Sequence, residues 1–130
     1  MVVINRRIIS DKEEIWLDDK EILRIRVNEG CDFDEQDMLR QFNAYKKLVA
    51  GKRAIRPVLV DAPGDFIMDK AARELVAKTT GNYFNACAII SGSLATRIIV
   101  NFLNSFYQFG YPIRMFDCEQ QAMEWLEQFV

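Results

Sequence analysis

Three short apolar runs, "IRPVLVDA" from Ile55, "ACAIIS" from Ala86 and "PIRMF" from Pro112, are each followed by a segment of helical period. This alternation is the strongest constraint on the fold. Runs this short and apolar suit strands buried on both faces, the usual condition of a parallel sheet. Parallel neighbours cannot be joined by a tight turn, so the segments between them are expected to be crossover helices. Helices between and after the strands fall at roughly residues 69 to 80, 93 to 109 and 118 to 129, with Gly81 and Gly110 placed to stop the first two.

Upstream, "EIWLDDKEILRIRV" holds two apolar runs around Asp18, Asp19 and Lys20, and its second half alternates Ile25 and Val27 with Arg24 and Arg26. That is a β-hairpin signal. In "DFDEQDMLRQFNAYKKLVAG", Met38, Leu39, Phe42, Tyr45, Leu48 and Val49 recur at helical spacing. Asp34 can cap this helix, Phe33 can staple onto Met38, and Gly51 can end it. Asp117 with Gln120 is expected to form a capping box for the last helix, whose Ala122, Trp125, Leu126 and Phe129 mark one face. The expectation is one α/β domain over residues 1 to 130. It is a two-layer-type sandwich with a mixed sheet of about five strands and four helices, and residues 1 to 12 form a loosely ordered extension.

A chain of 130 residues supports one sizeable core. The absence of histidine removes Ser-His-Asp and Cys-His catalysis and every His-containing metal site. Cys31, Cys87 and Cys118 are odd in number and form no CxxC pair, which argues against a disulfide framework or a zinc knuckle; Cys87 reads as a small core residue. A net charge of −2 supplies no field for nucleic acid or anionic membrane. The densest basic cluster is Lys46, Lys47, Lys52, Arg53 and Arg56, and most of it falls where cations complement a helix C-terminus. No apolar stretch approaches the roughly 20 residues that span a bilayer. The start "MVVINRRIIS" lacks the apolar core of a signal peptide, so a cytoplasmic location is the default expectation.

Ligand sites in α/β sheets gather beyond the carboxyl ends of parallel strands. Asp61 and Asp65, Ser91 and Ser93, and Asp117 all fall there. A receiver-type phosphate acceptor would use Asp61 with Ser91, but "MFDCEQ" lacks the required lysine, and Asp18 and Asp19 sit in a hairpin turn rather than at a strand end. In "ISGSLATR", Ser91, Gly92 and Ser93 are a candidate anion-binding turn at a helix N-terminus. The P-loop spacing is missing, and plain capping by Ser91 or Ser93 is the favoured reading. No catalytic residue, metal or cofactor is expected.

The segment from 93 to 109 places its apolar residues over an arc of roughly 240°, against the ~100° that one sheet-facing stripe needs. It is read as a helix buried on two sides, as a dimer interface, or as the wall of an apolar pocket lined by Phe102, Phe106, Tyr107 and Phe109.

The opening hairpin, "VLVDAPGDFIMDKAAR" and "YPIRMFDCEQQAMEWLEQF" together resemble the STAS-like superfamily over roughly residues 13 to 129. That superfamily includes anti-anti-sigma factors and the cytoplasmic domains of sulfate transporters. The chain is most similar to small stand-alone bacterial members, related in fold to CRAL-TRIO lipid-binding domains. In anti-anti-sigma factors a phosphorylatable Ser follows a Met-Asp pair at the start of the helix, whereas here Lys70 and Ala71 follow Met68 and Asp69. The resemblance therefore implies a non-enzymatic, homodimeric interaction module without the phosphoswitch. Its expected protein-partner surface is Asp65, Met68, Asp69, Lys70 and Arg73. The alternative reading is a carrier or sensor of a small apolar or lipid-like molecule, and the third is phosphate acceptance at Asp61.

Overall fold

A computed structural model describes residues 2–4 and 6–130. The chain opens with β1 (Val2–Ile4), β2 (Arg7–Ile9), β3 (Glu13–Leu17) and β4 (Leu23–Val27), joined as an antiparallel meander. β3 and β4 are the expected hairpin, with Ile15 opposite Ile25. The Asp18 carboxylate closes its turn by accepting from the Lys20 and Ile22 N–H groups at 3.0 and 2.9 Å. There follow β5 (Cys31–Phe33), α1 (Glu35–Leu48), β6 (Arg56–Asp61), β7 (Phe66–Met68), α2 (Lys70–Thr79), β8 (Phe84–Ile90), α3 (Leu94–Phe106), β9 (Ile113–Phe116) and α4 (Glu119–Leu126).

The main sheet has seven strands among the described residues, in the order β1-β2-β3-β4-β6-β8-β9, and β4, β6, β8 and β9 run parallel. β5 and β7 pair in parallel as a separate ribbon. The sheet is thus wider than the five strands expected. Residues 7 to 9 are not a loose extension: Ile8 pairs with Ile15 and is buried. A three-residue strand is too short to declare itself by alternation, which is why the sequence reading missed β1, β2, β5 and β7. Met1 and Asn5, also within that expected extension, lie outside the described residues.

The parallel strands are apolar on both faces, and both faces are covered. Val58, Cys87 and Ile89 pack toward a core shared with Phe42 and Tyr45 of α1, Ala72 of α2 and Val100 of α3. Leu59, Ala86 and Ala88 face the other way, against Ala122 and Leu126 of α4. α4 therefore adds a partial third layer to the expected two. A bulge fixes its far end: Arg56 pairs with Phe84 but Pro57 with Ala86, and the skipped Asn85 donates its amide to the Phe129 carbonyl at 2.9 Å. The near end departs from expectation, since Cys118 rather than Asp117 is the N-cap and its side chain makes no capping bond. Asp117 instead accepts from the Arg97 guanidinium at 2.5 Å, a charge-assisted bond that a backbone N–H does not match.

α1 carries the expected cap, with Asp34 and Asp37 each accepting from the other's backbone N–H at 2.9 Å. Asp37 also takes bonds from Lys12 at 2.8 Å and Arg40 at 2.7 Å, and Arg40 reaches the buried Glu13 of β3 at 2.9 Å. Burial pushes the Asp37 carboxyl up, but the bonds from Lys12, the Asp34 backbone and Arg40 outweigh it and hold the group well below the usual carboxylate range. Because the folded pKa is depressed, this contribution is complete above the unfolded pKa of about 4 and is lost as pH falls below it. Asp37→Asn should lower stability by about 1–3 kcal/mol at neutral pH and flatten the decline between pH 4 and 2. Urea unfolding of both proteins across that range measures each effect.

Candidate functional site

The carboxyl end of the parallel sheet gathers the loops singled out from sequence. After β6, the Asp65 carbonyl accepts from Gly30 N–H at 2.7 Å, and its carboxylate accepts from the Ser93 hydroxyl. Ser93 is the N-cap of α3, taking the Thr96 N–H at 3.2 Å, while Ser91 Oγ accepts from Ser93 N–H at 3.1 Å. Thr96 in turn donates to the Gly64 carbonyl at 3.3 Å. The hydroxyls of the Ser91-Gly92-Ser93 turn are thus engaged within the chain. The Asp65 carboxylate lies against the Ser93 hydroxyl, and its charge would oppose an anion held at this turn. Asp61 ends β6 half-buried beside Ile90. No cluster of three or more His, Cys, Asp or Glu suited to a metal occurs among the described residues.

The five residues expected to form a partner surface divide by environment. Asp65, Asp69 and Lys70 are exposed, Arg73 is half-buried and Met68 is buried. Asp69 caps α2 through the Ala72 N–H at 2.8 Å. Lys70, one residue inside the helix, lies 3.9 Å from Glu74 one turn on rather than beside Asp65, which eases its clash with the helix dipole. Arg73 donates to the Met68 carbonyl at 2.6 Å and lies over the Phe102 ring at 5.8 Å, so it joins α2 to α3.

α3 resolves the question raised by its wide apolar arc. Val100 faces the core. Leu94, Ile98, Phe102 and Phe106, spaced four apart, are 73, 60, 43 and 71% exposed and form a stripe along the outer side. Phe102 and Phe106 stack at 5.0 Å. Ile67 of β7 is 61% exposed and, with Arg73, Ile98 and Phe102, lines a shallow groove against the stripe. The two surfaces expected separately, the 65 to 73 segment and the α3 aromatics, are therefore one.

Phe102, Phe106, Tyr107 and Phe109 form a chain of ring contacts at 5.0, 5.7 and 6.5 Å, but they do not together line the cavity behind α3, which only Phe109 of the four reaches. α3 stops at Phe106, and Tyr107 turns to extended backbone with φ −119° and ψ 150°. Phe109 then points inward, while Phe102 and Phe106 remain outside.

Behind α3 lies an apolar cavity of about 130 Å³, bounded by sheet residues such as Val60, Cys87 and Ile113 and by Val100 and Leu103 of α3. The hydroxyls in its lining are paired: Tyr45 donates to the Gln41 side-chain carbonyl at 2.8 Å, and the Thr80 and Tyr111 hydroxyls meet at 2.6 Å, with Thr80 donating on to the Val76 carbonyl at 2.8 Å. Burial pushes the Cys87 thiol up to about 12 and raises the Tyr45 and Tyr111 phenols, so the lining is neutral. The sequence placed strand and α1 residues of this lining on apolar faces, but the cavity itself arises from elements far apart in the chain.

With this geometry in place, comparison with known proteins adds family and fold. Residues 15–130 match the family described as a domain of unknown function, DUF7793. The chain is similar to the crystal structure of an uncharacterized DUF3478-family protein with a SpoIIAA-like fold from Shewanella loihica PV-4, with 18% identity and a TM-score of 0.59 over 97% of this chain and 99% of that one. The STAS-like fold read from the sequence is thus the fold observed. No curated protein matches. No helix among the described residues is long and apolar enough to cross a membrane.

Ser93→Ala removes both the α3 cap and the tie to Asp65, and should destabilise the domain by about 1 kcal/mol. Asp65→Ala, which leaves the cap, should cost less, and the order of the two urea midpoints tests this assignment.

Proposed function

The chain belongs to the DUF7793 family, and we propose that it is a non-enzymatic STAS-like interaction module whose α3 face binds a second copy of itself. The observation that carries this reading is the outward stripe of Leu94, Ile98, Phe102 and Phe106, extended by Ile67. At ordinary side-chain areas these residues expose on the order of 600 Å² per copy, against the roughly 800 Å² each partner contributes to a standard interface. A two-fold interface sets the same patch against itself, so a charged patch would meet its own sign. α3 has a single charged residue, Arg97, and it is paired with Asp117. Exposed Asn101, Asn104 and Ser105 supply a neutral polar rim.

Lys70 stands 79% exposed beside this patch and is a candidate to contact a further protein partner at its margin. A lysine cannot take the phosphate that a serine would, so regulation through this position would follow its positive charge.

Native mass spectrometry at tens of micromolar protein should report a dimer. Ile98→Asp combined with Phe102→Asp should give a monomer that keeps the wild-type circular dichroism, because both side chains are on the surface. Lys70→Glu should leave the dimer intact. A monomeric wild type, or a dimer indifferent to the double aspartate, would count against the α3 face as the self-contact.

A further inference from the structure

The cavity behind α3 does not belong to the proposed self-contact, which uses the opposite side of the helix. Protein interiors are packed to crystal-like density, with few voids larger than a water molecule. A void of about 130 Å³ is therefore an unusual feature of so small a domain. Water fills such spaces where two to four polar groups can hold it. Here Tyr45 is spent on Gln41 and Tyr111 on Thr80; the Gln41 amide nitrogen and the neutral Cys87 thiol are the remaining polar groups, and the rest of the lining is hydrocarbon, aromatic or thioether. A cavity of comparable size lined by Leu, Ile and Phe stays dry and admits benzene.

We infer that this cavity is a binding site for one small uncharged molecule carrying a single aromatic ring, of about six to eight non-hydrogen atoms. Ring chemistry is favoured by the walls. Phe84 and Tyr111 meet edge to face at 6.0 Å, Phe109 and Tyr111 at 5.8 Å, and Phe42 tilts against Tyr45 at 6.0 Å, so both ring faces and ring edges border the space. Charge is disfavoured because the lining has no ionised partner for a carboxylate or ammonium. At 130 Å³ the site is well short of the roughly 300 Å³ at which drug-sized pockets begin, so a lipid chain does not fit. The inference narrows the small apolar ligand expected as one alternative, and it does not depend on dimerisation.

The probe is benzene, with benzoate as the same ring bearing a charge. Titration of the full chain followed by methyl NMR should give saturable shifts at Val60, Val100, Leu103 and Ile113. Benzoate should bind at least tenfold more weakly. Val100→Phe and Leu103→Phe, which fill the space from α3, should each weaken benzene at least tenfold. Absence of saturable methyl shifts in the wild type would overturn the inference, and that measurement stands even if neither variant folds. Undiminished benzene binding by a folded variant, or equal binding of benzoate, would also overturn it. Failure here leaves the dimer test untouched, since that test reads the outer stripe.

Discussion

A strand that lies between two parallel partners and is apolar on both sides needs cover on both faces, and the crossovers that deliver its neighbours here supply helices to only one of them. β6 is the strand under this constraint, with β4 and β8 as parallel neighbours, and its Val58 and Leu59 are almost completely excluded from solvent on opposite faces. Most of the architecture follows. The segments that connect β4, β6, β8 and β9 contribute α1, α2 and α3 to one core, which leaves the opposite face to be closed by α4. The antiparallel meander escapes the constraint, and its outer residues engage charge instead: the Trp16 ring lies 4.2 Å from the Arg7 guanidinium.

The same constraint explains why α3 has two characters. A crossover helix at the edge of the covered face meets the sheet along one side only, yet α3 is apolar around most of its circumference. Its inner side closes imperfectly over the sheet and leaves the cavity; among the described residues, Ile67 and Arg73 flank the groove on its outer side. A helix with this surplus of apolar surface is more costly to expose than to pair. The loops at its N-terminus hold it firmly, since Ser93, Thr96, Asp65 and Gly64 bond across two connections.

Features governed by local rules were legible in the residues. Asp34, Asp69 and Ser93 each cap the helix that follows, because a side-chain oxygen three residues from a free N–H needs no tertiary partner to find it. The hairpin was equally plain, since its two strands are neighbours in the chain. The failures share a cause as well. Asp117 satisfied the local pattern for a cap, but Arg97, twenty residues away in sequence, reached it with a full charge. Arg56 read as one of a surface cluster of basic residues, yet it starts the central strand and is buried, donating to the Glu21 carbonyl at 3.1 Å.

By itself the sequence determined the alternation of strands and helices, the parallel character of the three later strands, the caps of α1 and α3 and the chemistries that a chain without histidine cannot perform. These depend on period, propensity and composition, which act over a few residues. Only the tertiary structure decided which side of α3 faces water, that residues 65 to 73 and the α3 aromatics share one surface, that an Asp65 carboxylate occupies the α3 N-terminus, and that a neutral void remains behind the helix. Those outcomes depend on distances between elements that are remote in sequence. A period of 3.6 residues shows that a helix has apolar sides, and the sheet it lands on chooses between them.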